Sequence, residues 1–457
     1  MSTICAISTP LAQGGISIIR ISGDKAIDIA KKIFVPFGDR QVSAMAGYSC
    51  TYGKVIDPAT NRQLDDAVLT VFIAPHSYTG ENTAEISCHG GVFITKEILR
   101  LCVAQGAKLA EKGEFTKRAF LNGKLSLTQA ESVMELISAQ GEYALRSANL
   151  TREGRLFKEI SASAKDLVRI LGELAAWVDY PEEDLPDIEQ SALEKTLSDN
   201  LQVINRILAD YDNGLLLRNG VDTVIAGKPN VGKSTLMNML LGFDRSIVTD
   251  IAGTTRDVIE ESAKLGELTL KLSDTAGIRD TDNKVEQLGV ELARKRLENA
   301  ALVMAVFDTS QPLDDEDFEL LEYVHGLGRH LIILLNKSDI QSCVDADELT
   351  KFSPYVITIS AKLNEGKGDI QRAVEEIFKL NAYDPDSTIF ANERQKACAE
   401  TAKKYLEQAL NDLRLGATLD AVTVTIDYAA NALLELTGEK ASEAVVNEVF
   451  SKFCVGK

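Results

Sequence analysis

Hydrophobic positions change their spacing several times along the chain, and each change marks a different kind of element. Residues 16–21 (ISIIRI), 67–73 (AVLTVFI) and 85–88 are short apolar runs that predict strands, the first interrupted by one charge, Arg20. Helices are predicted between them near 24–34 and 92–104, each after a turn signal, ISGD and HGG. Residues 1–118 thus predict an α+β domain.

From 119 to 212 apolar residues recur at steps of three and four: Leu121, Leu125, Leu127, Ala130, Val133, Leu136 and Ile137, then Leu167, Ile170, Leu171, Leu174 and Val178. That period predicts long amphipathic helices, broken by an acidic, proline-bearing loop at 180–187 (YPEEDLPD). Residues 213–380 alternate apolar strands (221–226, 268–274, 301–308, 331–337, 355–360) with stretches long enough for crossover helices, which predicts a mostly parallel sheet. Helical spacing returns over 381–457, with Leu406, Ala409, Leu410 and Leu413, then Ala429, Leu433 and Leu436. The simplest organisation is one helical domain interrupted by an inserted α/β domain, because the ends of an inserted unit lie close together; two separate helical domains are the alternative.

The 457 residues, 45% of them hydrophobic, suffice for roughly three domains with sizeable cores. With 68 acidic against 49 basic residues the net charge is −19, which excludes coating nucleic acid through bulk positive charge. Basic groups cluster modestly at Lys112, Lys117 and Arg118 and at Arg294, Lys295 and Arg296. Seven scattered cysteines without a CxxC pair argue against a disulfide framework or a zinc knuckle. No apolar stretch is long enough for a bilayer, and MSTICAISTP lacks the basic-then-apolar order of a leader; a soluble, cytoplasmic protein with no membrane association is expected.

The sharpest chemistry lies at 227–234, GKPNVGKS, which matches G-x-x-x-x-G-K-[ST]. Gly227 and Gly232 let the backbone turn its N–H groups onto phosphate oxygens, Lys233 supplies a point charge for the β and γ phosphates, and Ser234 offers Mg²⁺ a hydroxyl. Asn230, Val231 and Thr235 complete the loop, and the following helix adds its positive dipole end. Four pieces follow in order. Residues 249–255 (Thr249, Asp250, Ile251, Ala252, Gly253, Thr254, Thr255) read as a switch segment with Thr255 as a second Mg²⁺ ligand. In Asp274, Thr275, Ala276 and Gly277, the carboxylate can hold the Mg²⁺ water shell and the Gly277 N–H can meet the γ-phosphate. Asn336, Lys337, Ser338 and Asp339 provide a carboxylate for the guanine N1–H and N2 groups, which adenine lacks. Ser360, Ala361 and Lys362 can face the guanine carbonyl through their backbone. In this order and spacing the pieces specify a GTPase built on a Ras-like P-loop G domain.

The hydrolytic step is less direct. Ile278 stands where Ras-type enzymes carry a water-orienting glutamine, and no arginine finger, worth about 10³–10⁵ in rate, is evident. Asn230 is a candidate K⁺ ligand through its side-chain carbonyl, with backbone carbonyls near 249–254 completing the site; the plain alternative is a turn asparagine after Pro229. Asp280, Asp282, Glu286 and Glu291 are the acids available to orient water, and each alone also reads as a solvated loop charge. Arg256 reads as a finger for another subunit or, more plainly, as surface.

The strings GKPNVGKST, TDIAGTTRD, DTAGIRDT and NKSD resemble the Era- and MnmE-like GTPases. Outside the G domain, GGISIIRISG (14–23), GEFTKRAFLNGKLSLTQAE (113–131) and FCVGK (453–457) narrow the resemblance to the MnmE, or TrmE, family of tRNA modification GTPases, over essentially the whole chain. Val455 stands where isoleucine is common in that family. The resemblance implies a first domain that binds 5-formyl- or 5,10-methylene-tetrahydrofolate through Arg20, Glu85, Lys124 and Lys457, with Cys454 close by, and that drives homodimerisation. It implies G domains that pair on binding K⁺ at Asn230, Thr249, Ile251 and Thr254, with Glu286 orienting the water. It implies the flavoprotein MnmG (GidA) as partner and an aminomethyl-type modification at C5 of the wobble uridine of certain tRNAs.

Read without the resemblance, Arg20 and Glu85 also make a plain salt bridge, Cys454 a packed small residue, and His89 a helix-start histidine. The run DDED (314–317) reads as a solvated face. The acidic balance further suggests that MnmG supplies much of the tRNA affinity. A nucleotide-state binding switch in ribosome or RNA assembly is the rival function, disfavoured by the largely helical segment ending in FCVGK.

Overall fold

The computed structural model describes residues 2–139, 141–179, 189–209, 211, 215, 220–242, 261–266, 268–274, 294–378, 390 and 392–457. Seven strands build the first sheet: β1 (Ile4–Ile7), β2 (Ile16–Ser22), β3 (Phe34–Pro36), β4 (Ser49–Asp57), β5 (Arg62–Phe72), β6 (Thr83–His89) and β7 (Lys108–Leu109). Their order is β3-β4-β5-β6-β2-β1-β7, antiparallel except for the β1–β7 pair. Alternation along the strands sorts the two faces. Ile19, Ile21, Leu69, Ala84 and Ile86 meet Ile29, Ile33, Ile98 and Cys102 of the helices Ala26–Ile33 and Val92–Ala104. Arg20 and Glu85, paired in register, therefore lie on the other face, where Ile4 and Ala6 pack on Phe115 of the helix Glu114–Leu121. The apolar run at 67–73 proves to be the second half of a longer strand. Its polar first half, from Arg62, is held by the β4 ladder, which an apolar pattern does not reveal.

The helices Arg155–Asp179, Gln190–Ala209, Glu393–Arg414 and Leu419–Thr437 share one core, joining Leu156, Ile160, Leu197 and Ile204 to Leu406, Ala409, Leu433 and Leu436. The helical domain is thus discontinuous. Its two parts are also pinned by charge. Glu131, on the helix Leu127–Ser138, receives Nε and Nη2 of Arg394 at 2.8 Å each, and the Gln395 amide at 2.5 Å. A further cluster sets Leu127 and Ala130 against Val449, Phe450 and Phe453, and so returns residues 453–457 to the first domain.

The inserted G domain holds β8 (Val221–Ala226), β9 (Glu261–Leu265), β10 (Leu268–Asp274), β11 (Leu302–Asp308), β12 (His330–Asn336) and β13 (Val356–Thr358). The order is β13-β12-β11-β8-β10-β9, parallel except for the β9 hairpin. From β8 the sheet grows to both sides, so the crevice beyond its carboxyl end lies at the switch point where α/β sheets bind ligands. The register aligns Asp274 with Ile225, and Asp308 with Asn336, along that edge. Tyr143, from the helix Glu142–Arg152, is buried in the G-domain core. Among the described residues no helix is long and apolar enough to cross a membrane.

Candidate functional site

The phosphate loop joins β8 to the helix Lys233–Leu241. Gly232 adopts φ +98°, and a Cβ there would run into the Asn336 amide, so the position admits only glycine. Asn230 is exposed at φ +69°, a left-handed conformation that asparagine tolerates. The Lys233 ammonium is buried and donates to the carbonyls of Gly227 at 2.8 Å and Lys228 at 2.6 Å. Val231 is buried, whereas Ser234 and Thr235 are exposed.

The base-recognition pieces are tied to this loop. The buried Asn336 amide donates to the Val231 carbonyl at 2.8 Å, and its oxygen accepts the Ala361 N–H at 3.0 Å. One side chain thereby joins the phosphate loop to the Ser360–Ala361–Lys362 turn. Ser360 donates to Asp339 at 2.9 Å, which fixes an exposed carboxylate without saturating its lone pairs. Lys337, at φ +70°, reaches Asp308 at 2.5 Å. Burial opposes ionisation of Asp308, but Lys337 and Ser310 outweigh it and hold the carboxyl below its usual range. The Ser338 N–H donates to the Ile359 carbonyl, and Lys362 is exposed. Asp274 ends β10, at the same edge. Thr249, Asp250, Ile251, Ala252, Gly253, Thr254, Thr255, Arg256, Thr275, Ala276, Gly277, Ile278, Asp280, Asp282, Glu286 and Glu291 lie outside the described residues, as does the 180–187 loop.

A second constellation forms on the polar face of the first sheet. Arg20 Nε donates to Glu85 at 2.7 Å, its Nη1 donates to the Gly456 carbonyl at 3.3 Å, and its guanidinium lies 5.8 Å from the Tyr78 ring centre and 5.6 Å from that of Phe115. Residues 453–457 dock beside it. Val455 bridges to Lys112, the Phe115 N–H donates to the Lys457 carbonyl at 3.2 Å, and Ser8 donates to the Gly456 carbonyl. Gly456 adopts φ +94°, and a Cβ would come within 2.5 Å of the Ile7 carbonyl oxygen. Burial and the Arg20 charge depress the pKa of the Lys457 ammonium, while Glu85 and Cys454 pull it back. Arg20, Glu85 and Lys457 are thus together. Lys124 instead donates to the Pro75 carbonyl at 3.1 Å, at the other end of the loop that carries Tyr78.

Four readings need correction. Arg118 does not join a basic surface patch: it is buried, with bonds to Glu81 at 3.0 Å and Glu114 at 2.8 Å, and Lys117 donates to Asn447. Residues 314–317 are not merely a solvated face: Asp314 and Asp317 form a capping box that also grips Lys228. Cys454 is exposed rather than packed. His89 ends β6, exposed and bonded to Asp65 at 2.7 Å, rather than starting a helix. The Asp314–Asp317 spacing was a readable capping signal; its reach to Lys228 was not.

The family model for the MnmE helical domain matches residues 127–454, and that for the GTP-binding protein TrmE N-terminus matches residues 3–124. The tRNA modification GTPase MnmE of Thermoanaerobacter sp. (strain X514) is 38% identical over 458 residues, covering 100% of this chain and 99% of its own. The protein of that name from Streptococcus pyogenes serotype M28 (strain MGAS6180) is 40% identical, covering 100% of this chain and 98% of its own. Likeness over the full length, joined to a phosphate loop locked onto a guanine-type recognition turn, settles the kinship: the chain belongs to the MnmE family of tRNA modification GTPases.

Proposed function

We infer that this GTPase works as a K⁺-stimulated homodimer with the flavoprotein MnmG. In this reading it installs an aminomethyl or carboxymethylaminomethyl group at C5 of the wobble uridine of certain tRNAs, using the one-carbon unit of 5-formyl- or 5,10-methylene-tetrahydrofolate. The observation that carries the reading is the convergence of Arg20, Glu85 and Lys457 beside Tyr78. A pterin offers N–H donors to a carboxylate and a flat face to an aromatic ring, and the folate tail offers carboxylates to cations. Lys124, bonded to Pro75 of the loop that carries Tyr78, fits the tail; the exposed Cys454 stands next to Lys457. Exposed Phe37 and Tyr52, their ring centres 5.1 Å apart and tilted by 34°, offer apolar surface that a second copy would cover. In the G domain, Ser234 and Thr255 would ligate Mg²⁺. Asn230 with Thr249, Ile251 and Thr254 would hold K⁺, and Glu286 would orient the water.

The test is GTP hydrolysis in KCl and in NaCl at matched ionic strength, with Glu286→Ala alongside. A K⁺-specific rate increase that the variant loses is expected. Equal rates in both salts would end the cation mechanism and send the search to an activator supplied by another protein.

A further inference from the structure

The ammonium of Lys233 is aimed by its own loop, and the loop is held from outside. Lys233 rests on two carbonyls, those of Gly227 and Lys228. The Lys228 side chain leaves the loop and donates to Asp314, with Asp317 at 3.0 Å and Glu316 at 3.9 Å. These acids sit at the start of the helix Asp315–Gly326, where Asp314 and Asp317 already cap one another's backbone. The chain of contact therefore runs from a helix end, through one lysine side chain, to the carbonyl that orients a second lysine. Burial works to lower the Lys228 pKa, but its hydrogen bonds to Asp314 and Asp317 outweigh it and raise it; Lys228 in turn holds the Asp314 carboxyl below its usual range.

We propose that Asp314 and Asp317 are positioning residues for GTP turnover: by fixing Lys228 they orient its carbonyl, and so point the Lys233 ammonium at the β-phosphate. The proposal rests on the GTPase assignment of this loop. For Asp314, 63% exposed, a purely stabilising role fits poorly, since a surface ion pair of that kind contributes little to stability. Asp317 is buried against the same ammonium, and a GMP control separates its effect on folding from its effect on the loop. The β-phosphate is present in both ground and transition states, so loss of the clamp weakens both alike and moves KM more than kcat.

The experiment compares Asp314→Asn/Asp317→Asn, Lys228→Ala and Lys228→Arg in the full-length protein. Asparagine keeps the helix cap while removing the charge, which separates the two tasks of these residues. GDP, GTP and GMP affinities are measured by nucleotide titration, alongside steady-state hydrolysis. In the first two variants GDP and GTP should bind about five-fold more weakly, with GMP unchanged and KM for GTP rising by the same factor; Lys228→Arg should stay near wild type. Equal losses for GMP and GDP would mean a misshapen pocket and overturn the proposal, as would diphosphate affinities that do not change. Failure of the GTPase assignment itself would show separately, as a wild-type protein that binds no GTP.

Discussion

The phosphate loop and the Arg20 pocket both gather charged side chains against a sheet edge or face, yet they are assembled in opposite ways. Eight consecutive residues make the loop, and their conformations follow from local chemistry: glycine at φ +98°, asparagine at φ +69°, a lysine folded onto carbonyls five and six residues back. The pocket has no local unit. Arg20 meets Glu85 through strand pairing, Phe115 through a helix across the sheet, and Gly456 through a segment 448 residues from the Ser8 it also touches. A site of the first kind is written as a motif. One of the second kind exists only once distant elements have packed.

The two sites should fail independently, and that can be tested from the largest effect down. Lys233→Ala should cut kcat/KM for GTP by about 10³ or more, because it removes the loop's point charge for the β and γ phosphates. The tetrahydrofolate binding proposed for the Arg20 site, followed by fluorescence titration, should not change; a parallel loss would show that the sites are coupled. Gly456→Ala should do the reverse. Its Cβ meets the Ile7 carbonyl and its φ disfavours any side chain, so the proposed folate affinity should drop about ten-fold while GTP turnover holds. The smallest effect belongs to His89, two strand positions beyond Ser87 on the face that carries Glu85. Its hydrogen bond to Asp65, and that carboxylate's charge, raise its pKa. A group whose folded pKa is raised stabilises fully below its unfolded pKa and ceases to do so as pH rises through the folded value. His89→Gln should therefore lower the melting temperature slightly near about pH 6 and not at all near about pH 9. A deficit that persists at the higher pH would mean that His89 acts through packing.

The same division explains what was readable beforehand. The β8–loop–helix unit, the strand ending in Asn336 and the helix Val92–Ala104 each declare themselves within a window of some ten residues, through apolar period and a turn residue at its end. The β1–β7 pair, only two residues in register, carries no such signal. Nor does a charge reveal its partner. Arg118 beside Lys117 looks like surface until Glu81 arrives from another loop, and Lys228 looks like an idle loop residue until Asp314 folds over it. Hydrophobic spacing encodes which face of an element turns inward; it does not encode which element it will meet.

Residues 454–457 close onto Gly113, Lys112, Ser8 and Arg20. During synthesis on the ribosome, the first domain emerges long before the segment that completes it. It must wait, its Arg20 guanidinium open on one side, while the helical and nucleotide-binding parts are made and folded. A nascent chain stalled after about residue 380 has its phosphate loop and the Asn336 and Ala361 that brace it, but not the segment that closes on Arg20. Ligand binding at that site would then favour molecules whose residues 453–457 have docked over those in which they have not.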